Sequence, residues 1–240
     1  MDIPSEMQHQ AMGYDRAATM FSPDGHLLQV EYADKIVKLG PSSVGLVCKD
    51  GVFILADKRI RDKLIAVESS HKIFEIDEHI IATSAGILAD ARILIDQAQI
   101  LAQQNRITYG SPVEPISIIR MIADRQQAFT QYGGARPFGV SMMLVGVNKG
   151  KNLLYTSEVY GNYFAYKANA IGENDEKIKE MLRRDYREGM SIEEGLKFIL
   201  KVFKDILGKN FELNRFEAGI VRTGGKLERL AGDELKKFSK

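Results

Sequence analysis

The feature that most constrains this chain is a change of hydrophobic period that occurs twice. Two strand-like runs, "SSVGLVCK" (42–49) and "VFILADKR" (52–59), flank Asp50-Gly51. β-Branched runs around an Asp-Gly pair are a hairpin signal. A second pair, "KIFEI" (72–76) and "HIIATSAG" (79–86), is joined through Asp77 and Glu78, where the alternation breaks for a turn. Four successive strands predict an antiparallel sheet. The period then becomes helical: Ile87, Ala91, Leu94, Ile95, Ala98, Leu101 and Ala102 mark one amphipathic helix up to about Asn105. A second helix, from about Ile116 to Gln131, follows Pro115, whose missing N–H suits a first turn.

The theme then repeats. "VSMMLVGV" (140–147) and "NLLYTSEV" (152–159) surround Lys149-Gly150, and "YFAYKANAIG" (163–172) also reads as strand. Two helices of mixed charge lie between Glu173 and Gly208, the later one opened by a Ser191/Glu194 capping box. "FEAGIVRT" (216–223) and "LERL" (227–230) close the strands, and "GDELKKF" (232–238) reads as a short helix. This order predicts an α+β fold of two stacked antiparallel sheets, each covered by its own helix pair. A break near Gly110 to Pro115 would instead divide the chain into two domains, although no linker, repeat or low-complexity segment marks one.

Composition narrows the function classes. At 240 residues, 45% apolar and 27% charged, the chain can bury a sizeable core. Thirty-three basic residues against thirty-two acidic ones leave a net charge of +1, which predicts neither nucleic acid nor a membrane surface as partner. The single cysteine, Cys48, cannot form an internal disulfide and reads as a small buried residue in a reducing, cytoplasmic setting. "MDIPSEMQHQ" lacks the basic and apolar regions of a secretion signal, and no run of about 18 apolar residues offers a membrane span. His9, His26, His71 and His79 show no ligand spacing, so neither metal nor cofactor is expected. "GVNKGK" (146–151) is one residue short of a phosphate-binding loop and lies in a hairpin turn. Ser42, Ser43, Ser69 and Ser70 have no neighbouring base and no nucleophile-elbow motif.

Ahead of the first strand stands "YDRAATMFSPDGHLLQVEYA" (14–33). Pro23, Asp24 and Gly25 make a turn. Beyond it Leu27, Val30, Ala33 and Val37, with Leu28, Tyr32 and Ile36 beside them, predict a helix over about 26–38 with a wide apolar face. Residues 1–13 read as a flexible tail, polar and containing Pro4, ahead of one domain over 14–240.

This segment closely resembles the signature of proteasome α-type subunits, and "YGGARPFGVS" (132–141) resembles a second one. The element order agrees throughout, so the resemblance covers essentially the whole chain and is archaeal in character. It implies a four-layer αββα sandwich of the amino-terminal-nucleophile hydrolase superfamily. The residue matching the catalytic threonine of the sister β subunits is Pro41, which has no hydroxyl and is preceded by forty residues. The resemblance therefore implies a non-catalytic role, although Asp57 and Lys72 match active-site positions of the β subunits. The rival reading is an active amino-terminal-nucleophile hydrolase, processed just before Ser42 or Ser43.

Further implications follow from the resemblance. Identical subunits would form a seven-membered ring that templates a ring of β subunits and admits unfolded polypeptide. Tyr14, Asp15, Pro23 and Tyr32 match the cluster that holds the gate open. Lys72, Gly25, Leu27, Glu31, Gly86 and Ile87 match the pocket that receives the C-terminal tails of regulatory AAA+ ATPases, tails that end in a hydrophobic-Tyr-x pattern. Tyr132, Gly133 and Gly134 match the pore constriction, and Arg136 and Pro137 fix its loop. His26 and Asp34 stand where arginine is expected, and Ala18 replaces a larger aliphatic residue. Asp34 puts a gate contact with a neighbour's Asp15 in doubt, and a histidine at the pocket would make tail docking pH-sensitive.

Overall fold

The computed structural model describes residues 13–59, 64–66 and 70–239. A 3₁₀ turn (Tyr14–Arg16) leads into helix α1 (Leu28–Leu39). Strands β1 (Ser43–Cys48), β2 (Gly51–Asp57), β3 (Phe74–Asp77) and β4 (Ile80–Gly86) follow. Helices α2 (Leu88–Tyr109) and α3 (Pro115–Phe129) come next, then β5 (Val140–Asn148), β6 (Lys151–Ser157), β7 (Tyr163–Ala165) and β8 (Ala168–Ile171). After α4 (Asp175–Asp185) and α5 (Ile192–Leu207) the chain ends with β9 (Phe216–Arg222), β10 (Leu227–Ala231) and a 3₁₀ helix (Gly232–Phe238).

The strands form two five-stranded sheets, ordered β10-β9-β2-β1-β8 and β3-β4-β5-β6-β7. Every pairing is antiparallel, as in the hairpin that joins Cys48 to Gly51. This is the αββα sandwich expected from the element order.

The alternation of side chains along each strand builds three apolar layers. Val44, Leu46, Phe53, Leu55, Ala218 and Ile220 face α4 and α5. Ile80, Ala82, Met142 and Leu144 face α2 and α3. The residues between them, Val52, Ile54, Ala56, Ile81, Met143 and Val145, meet in the middle layer. Strands buried on both faces explain why these segments read as continuous apolar runs rather than as polar–apolar alternation.

Two expected elements differ by more than two residues at an end. "YFAYKANAIG" is not one strand: β7 pairs with β6 in one sheet, and β8 pairs with β1 in the other. The chain crosses between the sheets at Tyr166 and Lys167, held by Tyr166 N–H donating to Leu154 O (2.9 Å) and Val47 N–H donating to Lys167 O (2.8 Å). Helix α2 runs past Asn105 to Tyr109 and ends at Gly110, whose φ of 65° is the left-handed conformation of a helix C-terminus.

The sheets approach closely where the inner faces carry glycine. A Cβ on Gly45 would lie 2.8 Å from Met143 Sδ and 2.9 Å from Leu154 Cδ1. Gly45→Leu therefore overpacks the middle layer and is expected to cost about 1–3 kcal/mol, read as a lowered Tm. An unchanged Tm would show that this layer is looser than its geometry.

Candidate functional site

The leader is organised by Ser22, which the sequence did not single out. Its backbone N–H donates to His26 O (2.9 Å) and its carbonyl accepts from Gly25 N–H (2.9 Å). Its hydroxyl accepts from His26 N–H (3.1 Å). Gly25 sits at φ 83°, which suits glycine. The turn leaves Pro23 exposed and delivers the chain into α1, where Glu31 Oε1 lies 2.6 Å from His26 Nδ1. Tyr14 and Tyr32 are half-buried, and Lys35 lies over the Tyr32 ring at 5.5 Å. Residues 1–12, most of the expected tail, lie outside the described residues, as do Ser69 and the Asp15 side chain. Asp34 is engaged within its own helix by Lys38, four residues on, at 3.2 Å.

Helix α1 is not an appendage. Val30, Ala33 and Val37 are buried in the middle layer with Val52, Ile54, Ile81 and Met143. Its far side leaves Ile36 and Leu39 exposed, and ahead of it Met20 and Phe21 are exposed as well.

At the end of α1 lie the residues matched to a catalytic centre. Pro41 is internal, and its carbonyl accepts a hydrogen bond from Lys72 Nζ at 2.8 Å. Asp57 is 1% exposed and is taken by Arg215, whose Nη2 and Nε donate to its two oxygens at 2.5 and 3.2 Å. Ser42 donates its hydroxyl to Glu173 O, and Ser43, fully buried, shares a 3.1 Å hydrogen bond with Thr83. Lys72 is 4% exposed. Burial pushes its ammonium down to about 8; Asp57 opposes that fall and Arg59 adds to it. Glu217, also buried, fastens the segment by accepting from Lys72 N–H at 3.2 Å and from His71 Nδ1 at 3.2 Å.

Gly86 and Ile87 adjoin this end of α1. A Cβ on Gly40 would fall 2.4 Å from Gly86 N, and one on Gly139 would fall 2.8 Å from Ile87 Cδ1. Gly86 itself has φ 115° and no room for a side chain, since its Cβ would meet Gly139 O at 2.1 Å. Lys72 thus meets the chain at Pro41, and Gly86 meets it at the neighbouring Gly40, just past the end of α1. Gly25, Leu27 and Glu31 lie at the other end of α1, a helix of 12 residues and so about 18 Å long.

Tyr132, Gly133 and Gly134 form an exposed loop after α3, with Gly134 at φ 80°. It is tied down from beneath. Arg136 makes a bidentate pair with Asp90 (2.6 and 2.7 Å), and Asp90 also accepts from Gly139 N–H at 2.9 Å. Burial raises the Asp90 carboxyl, but the guanidinium and the Gly139 N–H outweigh it and hold the group below its ordinary range. Phe129 packs on Tyr132 and Phe138 with ring centroids 6.0 and 4.7 Å away. Asp90 was missed by sequence reasoning; its one signal is an acid in the first turn of α2, which is also the commonest place for a bland helix-dipole contact.

No group of three or more potential metal ligands occurs among the described residues, and none of their helices is long and apolar enough to cross a membrane. Cys48 is buried, and burial pushes its thiol up to about 12, which leaves it inert as a nucleophile.

Lys72 yields a pH prediction. Below about 8 both folded and unfolded chains carry its proton and burial exacts its full cost, on the order of 3 kcal/mol. Between about 8 and the ordinary 10.5 only the unfolded chain keeps the proton, so this contribution makes stability rise with pH. Lys72→Met is expected to raise Tm at pH 7, with its advantage shrinking across that window. A variant less stable than the parent at every pH would overturn the assignment.

Two family models match the chain: that of the "Proteasome subunit" family over residues 37–221, and the "N-terminal signature" of A-type proteasome subunits over residues 14–35. Among curated relatives, the proteasome alpha subunit of Methanococcus maripaludis (strain C5) is 43% identical over 235 residues, covering 96% of this chain and 89% of the relative. The protein of the same name from Pyrococcus abyssi is 44% identical over 226 residues, covering 94% and 86%. That of Methanosarcina acetivorans is 42% identical over 223 residues, covering 93% and 90%. The chain belongs to the proteasome subunit family, and the signature matched by its leader is that of the family's A-type, or alpha, subunits.

Proposed function

We propose that the chain is a non-catalytic ring subunit. Seven identical copies form an outer ring that gates the entry of unfolded polypeptide, templates a ring of β-type subunits and docks the C-terminal tails of regulatory ATPases in ATP-dependent protein degradation in the cytoplasm. The observation that carries this reading is the burial of Val30, Ala33 and Val37 between the sheets. Processing before Ser42 or Ser43, as an active hydrolase requires, would remove α1 and open the middle layer. Burying a valine is worth about 1.5–3 kcal/mol, so the loss exceeds a large part of a domain's marginal stability. The leader is permanent, and its exposed residues are therefore available for binding.

Three further observations support the assignment of roles. Lys72 is a charge kept in the interior at a cost in stability, with the neighbouring Asp57 already engaged by Arg215. An ammonium held beside a carbonyl can exchange that partner for the carboxylate of a docking tail, a stronger charge-assisted bond. The pocket residues lie in two groups at opposite ends of α1, a separation that suits a pocket completed by adjacent subunits, each contributing one half. Finally, Ile93, Ile100 and Ile107 form an exposed apolar stripe at seven-residue spacing along α2, distinct from the exposed Ile36 and Leu39 of α1. A protein that meets both its own kind and a second ring needs two such surfaces.

Native mass spectrometry of the purified chain is expected to give a multiple of seven full-length subunits. Subunits shortened by about forty residues, or a monomer that persists when a β-type chain is co-expressed, would overturn the reading. Ile100→Lys with Ile107→Lys, both on the exposed stripe, should leave that ring intact and abolish its pairing with the β-type chain. Lys72→Met should fold at least as stably as the parent yet lose at least tenfold in affinity for a peptide ending in Leu-Tyr-Arg; unchanged affinity removes Lys72 from the pocket.

A further inference from the structure

Helix α5 borders a cavity of about 620 Å³ to which no residue of α1 contributes. Phe198, Phe211, Leu213 and Phe238 give it an apolar lining, and Lys197, Lys201 and Lys204 stand along its helical wall. All three lysines are exposed, and none is held in an ion pair among the described residues. Asp205 is the acidic side chain on the lining, and Asp185, whose carboxyl feels the Lys201 charge, is already bound by Arg184 at 2.8 Å. The site therefore combines a volume typical of ligand pockets with a net cationic edge, three lysines against Asp205.

We propose that this groove is a second docking site, which receives an extended acidic peptide segment of a partner protein, with apolar residues alternating between the acids. The register follows from geometry. Lys197 and Lys201 are separated by about 6 Å along the helix, and Lys201 and Lys204 by about 4.5 Å. Alternate side chains of an extended strand lie about 7 Å apart, within reach of flexible lysines. A strand lying along α5 would turn its carboxylates to the lysines and every other side chain, aromatic or aliphatic, onto Phe198, Phe211 and Leu213. Charge selects the partner and steers its approach; the aromatic floor anchors it. The inference does not depend on the ring reading, since the groove is complete within one chain.

The test is fluorescence anisotropy on the purified full-length chain with labelled Glu-Phe-Glu-Leu-Glu-Phe-Glu and its counterpart in which lysine replaces glutamate. The acidic peptide is expected to bind, more weakly as salt rises from about 0.05 to about 0.5 M, and the basic one is not. The triple variant Lys197→Glu, Lys201→Glu, Lys204→Glu should bind at least tenfold more weakly with an unchanged Tm. Should that variant fold poorly, Lys201→Ala alone is expected to give a several-fold loss. Lys72→Met should bind as the parent does, which separates this groove from the tail pocket. Equal binding of the two peptides, undiminished binding by the lysine variants, or loss through Lys72→Met would each overturn the proposal.

Discussion

The structure depends on the insertion of α1 into the layer between the two sheets. Val30, Ala33 and Val37 enter a core to which β2, β4, β5 and β9 also contribute, so the leader, the first hairpin and the second half of the chain share one set of contacts. In a sandwich whose outer layers are covered by helix pairs, the open edge of the inner layer is the remaining place where a cleft could form. Here a helix occupies that edge. The same insertion that completes the core brings Gly40, just past the end of α1, against Gly86.

The electrostatics around Pro41 follow from that closure. Asp57 is held by two nitrogens of Arg215 and by Arg59 N–H. The lysine is left with a backbone carbonyl. Arg59 adds to the depression of the ammonium and is itself paired with Glu173, which tethers the segment after β2 to the start of α4. The arrangement is a charge network settled around a fixed proline, with Lys72 the member least satisfied by it.

Much of the fold was legible in the sequence because both signals it used are local. Asp50-Gly51 dictates a hairpin within a few residues, and the Ser191/Glu194 box is present with both of its hydrogen bonds, at 3.2 and 2.7 Å. What could not be read was set by partners distant in sequence. "YFAYKANAIG" reads like a single strand, but the edges available to it belong to β6 in one sheet and β1 in the other. Periodicity cannot say which edge lies near. Asp90 is the same case at the level of a side chain: its partners Arg136 and Gly139 lie more than a helix pair away, and nothing in the first turn of α2 announces them. Ser22 was closer at hand, but a serine before Pro23 reads as ordinary turn chemistry until the His26 N–H is seen to use its hydroxyl.

The two candidate docking regions differ in how completely one chain displays them, and that difference is physical. The pocket proposed between subunits would divide its residues between opposite ends of one element, so within the single chain Gly25, Leu27 and Glu31 look like a turn and helix start, while Gly86 and Ile87 look like packing. Exposure alone cannot find such a site, because each half has a sufficient local explanation. The α5 groove is the reverse case. Its lysines have no local explanation in pairing, and the net charge of +1 hides them, since a balance over 240 residues says nothing about three cations on one helical wall. Averages suppress the asymmetry on which recognition depends; position restores it.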